Sequence, residues 1–178
     1  MTAFLLLQAL CQFLRDTVKD YAAAQGDDGE YRIPRVFDWY LPFKNPKVEE
    51  KIDFPYITPR IRKGEDLPDD SQAILLSTVH IDISFGVYRE GTALGGFVHP
   101  DGAYDLLNLM EHVRIALFRK SVLDNKYSIE KPYKWEIPDE QPYPLWVGQA
   151  QTIWTVQSAT QQYLEDGVDI HGLKFDYE

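Results

Sequence analysis

The chain has 178 residues and 44% hydrophobic content, enough for one domain with a sizeable core and too apolar for disorder throughout. Its 28 acidic against 18 basic residues leave a formal charge of -10, which favours solubility and opposes close approach to nucleic-acid phosphates. No Lys/Arg stripe interleaved with aromatics reverses that sign locally, so the expected partner is protein, without sequence-specific nucleic-acid binding.

Thr2 to about Ala24 reads as an amphipathic helix, with Phe4, Leu7, Cys11, Leu14, Val18 and Tyr21 at helical spacing. Its start, AFLLLQALCQFL, lacks the basic flank and small-residue cleavage site of a signal peptide. No apolar run reaches the roughly 20 residues of a membrane span. The expectation is therefore a protein that is cytosolic when made, with no membrane partner. The single cysteine, Cys11, excludes an intrachain disulfide and reads as a small buried hydrophobe.

Tyr31 to Lys51, dense in Pro, Trp, Tyr and Phe, predicts an ordered loop or short edge strand. Ile52 to Arg62 contains Pro55 and Pro59, each without a ladder donor, which predicts an edge strand followed by the acidic loop KGEDLPDD. From Ala73 to Tyr88 the alternation is clear. Leu75, Val79, Ile81, Ile83, Phe85 and Val87 face one way and Thr78, His80, Asp82 and Ser84 the other, predicting a long half-buried strand. The glycine-rich GTALGGFVHPDG predicts a mobile or wrapped loop, after which Asp101 caps a helix from about Ala103 to Lys120 with core stripe Leu106, Met110, Val113 and Leu117.

Lys126 to Val156 then reads as two aromatic strands around a proline-stiffened acidic connector, PDEQPYP. Tyr127, Ile129, Tyr133, Trp135 and Ile137 share one face of the first strand. Trp146, Ala150, Trp154 and Val156 share a face of the second, and Trp135 and Trp154 are expected to be buried against Leu106, Met110, Val113 and Leu117 as the core. Pro138, Pro142 and Pro144 fix φ, so the connector is expected to project as a shaped contact loop made of Pro138, Asp139, Glu140, Gln141, Pro142, Tyr143 and Pro144. The predicted fold is α+β: a largely antiparallel sheet with helices packed on one face, in the order α-β-β-α-β-β plus a C-terminal tail. Residues 1–165 form the single domain, and 166–178 a tail that docks on its own domain or adds as a strand to a neighbouring subunit, with Phe175 and Tyr177 as interface candidates.

Chemistry has little to rest on in this sequence. His80 and Asp82 share a strand face at i, i+2 and could supply two ligands or an acid–base pair, the basis of an alternative reading as a small metal-dependent hydrolase; nothing in the sequence places a third ligand beside them. GTALGG lacks the endings and spacings of phosphate loops, no G-x-S-x-G elbow occurs, and Asp139 and Glu140 are adjacent residues of a turn that point to water. The expectation is no catalytic, cofactor-binding or metal residue. The acidic sets Glu65, Asp66, Asp69, Asp70 and Glu165, Asp166, Asp169 read as solvated faces or as complements to a basic protein ring.

Four stretches carry a resemblance: the leading amphipathic helix, DFPYITPRI with its GED continuation, DGAYDLLNLMEHVRIAL, and KYSIEKPYKWEIPDEQPYPLWVGQAQTIW with the order W-E-x-P-x-E-Q-P-Y-P. In these the chain resembles the tail terminator, or tail-completion, proteins of long-tailed bacteriophages and prophages. The resemblance implies a non-enzymatic virion structural protein of the tail–neck region, assembled in the bacterial host cytoplasm. It implies a hexameric ring that caps the tail tube, stops its polymerisation, and joins head to tail. The implied partners are other copies of the chain, the major tail tube protein, and a head–tail connector or neck protein.

Overall fold

The structure, a computed structural model, describes residues 2–25, 30–42, 53–66, 76–91 and 93–157. It is an α+β fold in which two helices pack against a mixed, mostly antiparallel six-stranded sheet. Helix α1 spans Thr2–Val18 and helix α2 Asp101–Arg119. The long strands are β4 (Tyr56–Asp66), β5 (Leu76–Tyr88), β9 (Tyr127–Glu136) and β10 (Leu145–Gln157). Short strands β3 (Arg35–Val36) and β8 (Val122–Leu123) complete the sheet in the order β3-β4-β5-β10-β9-β8. Two small hairpins stand apart from it, β1 (Ala23–Gln25) with β2 (Glu30–Arg32), and β6 (Ala93–Leu94) with β7 (Phe97–Val98).

The middle of the sheet is the antiparallel β5–β10 pair, in unbroken register from Leu145 opposite Tyr88 to Gln157 opposite Leu76. The alternation of β5 explains why it sits there. Val79, Ile81, Ile83, Phe85 and Val87 are buried against the helices, whereas Thr78, His80, Asp82 and Ser84 lie half-buried on the other face. Ala150, Trp154 and Val156 of β10 and Leu106, Leu109, Val113 and Leu117 of α2 join the same core. A branched-apolar stripe on the strand and a leucine-rich stripe on the helix bury each other, each large side chain contributing roughly 1.5–3 kcal/mol.

Several boundaries differ from the sequence reading. Helix α1 ends at Val18, and its buried face is Leu6, Leu7, Leu10, Cys11, Leu14 and Val18, while Phe4 is 54% exposed. Three successive leucines at 5–7 leave the rotation of the helix undecided by periodicity, and packing turns Leu6 inward and Leu5 out. Helix α2 starts at Asp101 with Pro100 as its N-cap and no side-chain cap bond, so Asp101 is not the cap; its carboxylate lies 3.8 Å from Arg89 instead. Its first-turn position suits the positive end of the helix dipole. The glycine-rich segment folds into the β6–β7 hairpin around Gly95 and Gly96, both at positive φ, rather than wrapping as a loop.

Strand β4 is an edge only in part. Arg35 and Val36 pair in parallel with Tyr56 and Ile57, and the amides of Phe37 and Trp39 continue along it to the carbonyls of Ile57 and Pro59. The strand also runs on through Lys63–Asp66, which the sequence had suggested as loop. Pairing with β5 keeps those polar residues extended, and Glu65 and Asp66 lie opposite Thr78 and Ser77.

Candidate protein-docking surface

The connector between β9 and β10 is shaped, as its prolines predict, and is also tied to its own domain. The Gln141 amide nitrogen donates to the Pro138 carbonyl at 2.7 Å, and its Oε1 accepts from the Val147 amide at 2.7 Å. The Tyr143 hydroxyl donates to the Glu90 carbonyl, the Arg89 amide to the Pro144 carbonyl at 3.0 Å, and the Trp146 indole to the Arg89 carbonyl at 3.1 Å. Arg89 itself lies between Asp105, bonded to its Nη1, and Asp101, so α2 holds the same junction. Of the expected contact loop, Pro138, Asp139, Glu140, Pro142 and Tyr143 are exposed. Gln141 and Pro144 are half-buried braces. Phe175 and Tyr177 lie outside the described residues.

Sequence periodicity alone did not find a second surface, the outer half of β9. Strand β8 covers β9 only at Tyr127 and Ser128, with one more bond from the Ile129 amide to the Ser121 carbonyl. Beyond that, Glu130–Glu136 has no strand on its outer side among the described residues. Glu130 is opposite Ile153 and Lys134 opposite Gln151, so Lys131, Pro132 and Tyr133 bulge against Thr152 alone. A proline in such a bulge removes no ladder bond, and exposed Lys131 and Lys134 discourage indiscriminate edge pairing.

On the helix-facing side of this open half stands Trp135. It lies opposite Ala150, on the core face as its alternation predicts, yet it is 55% exposed and forms no part of the core. The expectation of a buried Trp135 is corrected here: α2 passes over β10 and leaves a groove before it reaches β9. Three shallow grooves meet at Tyr133 and Trp135. One of about 300 Å³ is lined by Leu107, Asn108, Met110, Glu111 and Arg114 of α2, and one of about 710 Å³ by Arg114, Phe118, Lys131 and Pro132. The third, about 440 Å³, opens toward Gln149 and Gln151 on β10.

Aromatic and charged side chains meet on this surface. Phe118 meets Tyr133 edge-on with ring centroids 5.8 Å apart. The Tyr133 hydroxyl is buried without a hydrogen-bond partner, and burial pushes its ionisation well above the ordinary phenol range. Arg114 turns its Nε and Nη2 to the two carboxylate oxygens of Glu111 at 2.7 and 2.6 Å, which holds Glu111 below the usual carboxylate range. An exposed tryptophan, a half-buried tyrosine and a guanidinium placed together are of the side-chain types enriched where protein interfaces are strongest.

The opposite face of the sheet is largely polar, with Ile153 opposite His80 and Val147 opposite Gly86 among its apolar residues. Glu136 accepts from Gln149, Glu130 accepts from Thr155 at 3.0 Å, and Lys63 donates to Glu65 at 2.6 Å. His80 and Asp82 are here, on one face as predicted, but the nearest charge to Asp82 is Arg60 at 3.9 Å, a cation where a metal site would need a further ligand. Among the described residues no group of three or more His, Cys, Asp or Glu side chains could hold a metal ion. His99 is exposed, and His112 is not a free surface residue: its Nε2 lies 3.1 Å from the Thr17 carbonyl and its ring 4.8 Å from Tyr21, joining α2 to the end of α1. Asp139 and Glu140 are exposed side by side in the connector. No helix among the described residues is long and apolar enough to cross a membrane.

No protein-family model matches the chain, and no curated protein matches it.

Proposed function

We propose that the chain is a structural subunit of a bacteriophage tail, a terminator that closes with copies of itself into a ring, caps the tail tube, stops its growth and meets the neck of the head. The observation that carries this reading is a sheet open at both margins among the described residues: Arg60–Asp66 of β4 beyond the reach of β3, and Glu130–Glu136 of β9 beyond the reach of β8. Edges left open at opposite margins of one sheet suit a heterologous, head-to-tail contact, and such contacts form rings when the rotation closes. The stapled connector Pro138–Pro144 supplies a firm projection for the tube or the neck. The resemblance in the W-E-x-P-x-E-Q-P-Y-P run points the same way.

Light scattering on the purified chain across salt concentrations, with and without tail tubes, tests it. At -10 per subunit, like-charge repulsion accumulates around a ring, so association should strengthen as salt screens it. A chain that stays monomeric in every condition and never binds tube ends would overturn the proposal.

A further inference from the structure

We infer that the groove between α2 and the open half of β9 is a docking site for an acidic, aromatic strand, and that its occupant is the chain's own segment 166–178. The inference rests on the terminator reading only for the identity of a neighbouring subunit; the groove and its charge stand without it.

The larger groove combines Phe118, Tyr133 and Trp135 with Arg114 and Lys131, and among the described residues no carboxylate lines it, Glu111 lining the smaller groove beside it. Glu111 engages two of the Arg114 N–H groups, and a guanidinium carries five, so donors remain for an incoming carboxylate. A chain with 28 acidic and 18 basic residues has few surfaces of this sign. Segment 166–178, DGVDIHGLKFDYE, is the complement: Asp166, Asp169, Asp176 and Glu178 against Lys174 alone. In an extended conformation Leu173, Phe175 and Tyr177 project to one side, and Asp176 and Glu178 to the other.

Added along the edge Glu130–Glu136, such a strand would gain main-chain bonds from β9 while its apolar side entered the groove beside Trp135. The reach is sufficient within one subunit. Val156 lies opposite Tyr127, so Lys131 is four positions, about 13 Å, further along β9, with about 5 Å between strands. The eight residues 158–165 can span roughly 26–29 Å. The same segment can equally enter the groove of the next subunit.

Paired cysteines in the full-length chain test the docking and read which of the two occurs. Phe118→Cys or Pro132→Cys, both in the lining of the larger groove, is combined with Phe175→Cys; the control combines Phe175→Cys with Gln151→Cys on β10. On mild oxidation the groove pairs should crosslink about tenfold faster than the control, because docking raises the effective thiol concentration. Monomer mobility on a non-reducing gel marks docking within a subunit, and a dimer band marks exchange between subunits. Lys131→Glu should slow the groove crosslink, and added salt should do the same. Equal rates in groove and control pairs, or no crosslink in either groove pair, would overturn the inference. Rings on tube ends without a selective crosslink would remove the docking alone, whereas a selective crosslink in a chain that never meets a tube would remove the terminator reading alone.

Discussion

Trp154 and Trp135 occupy adjacent strands and face the same side of the sheet, yet Trp154 is 0% exposed and Trp135 55%. Strand alternation places both indoles identically. What separates them is cover: Trp154 lies in the cluster with Leu6, Leu10, Leu106 and Leu117 from the two helices, and Trp135 lies past the edge of α2, over a groove. A sequence pattern therefore assigns a residue to a face, while the length and course of another element decide whether that face is dry. The Trp135 indole is thus left open to solvent on an otherwise buried face.

The largest test of the contrast is Trp154→Ala. Its indole is fully buried and donates from Nε1 to the Thr152 hydroxyl at 2.9 Å, which also donates to the Ile81 carbonyl at 3.0 Å. Removing it leaves a cavity and loosens that relay, and should cost about 3–5 kcal/mol by urea unfolding. A loss below about 1 kcal/mol would mean that Trp154 is no better covered than Trp135.

Gly102→Ala comes next. A Cβ at Gly102 would sit 2.2 Å from the Trp146 indole nitrogen, and that indole is held by its bond to the Arg89 carbonyl. The clash should cost about 1–3 kcal/mol and shift the connector that Trp146 and Arg89 secure. Calorimetry gives the cost, and weakened tube-end binding would show that the junction supports the docking loop.

Much of this architecture was legible in advance. The β5 alternation, the α2 stripe and the β10 face depend on period alone, and each is observed. The rotation of α1 was not, because consecutive leucines satisfy several faces. Nor was the fate of Pro55 and Pro59, since the parallel cover by Arg35 and Val36 is a long-range pairing with only two residues of signal. The two candidate surfaces were legible only in the shape of one of them. The connector announced itself through prolines, but the Trp135 groove depends on where α2 crosses, and no local pattern encodes a crossing.

The covered half of the molecule should also announce itself at high pH. Burial, and then Asp38, which accepts a hydrogen bond from the neutral thiol and repels the thiolate, push the Cys11 thiol up to about 12, with Arg15 acting in the other direction. Tyr21, Tyr56, Tyr127 and Tyr133 are raised too, chiefly by burial. The unfolded chain gives up these protons first, so stability is intact below about pH 9 and falls as pH rises toward 12, by at most about 1.4 kcal/mol per pH unit for each group. Denaturant midpoints across that range check the sign. In the native protein Cys11 should resist alkylation at pH 8, and a thiol placed at Tyr104, which is exposed, should react freely.

The smallest stability effect belongs to Trp135→Ala, and it is the most informative. With more than half its surface in water and the rigid β9–β10 ladder beneath it, the indole should contribute under about 1 kcal/mol to folding. In a partner contact the same side chain would sit at the centre of three grooves, flanked by Tyr133 and within the reach of Arg114, where aromatic truncation costs about 2 kcal/mol or more of binding. The variant should thus unfold at nearly the wild-type denaturant concentration and associate at least about thirtyfold more weakly, since about 2 kcal/mol corresponds to that ratio. Crosslinking of segment 166–178 into the groove, run beside the unfolding curve, separates the two quantities. A variant that loses several kcal/mol of stability would place Trp135 in the core after all, and one that keeps both stability and association would leave the exposed indole without a partner.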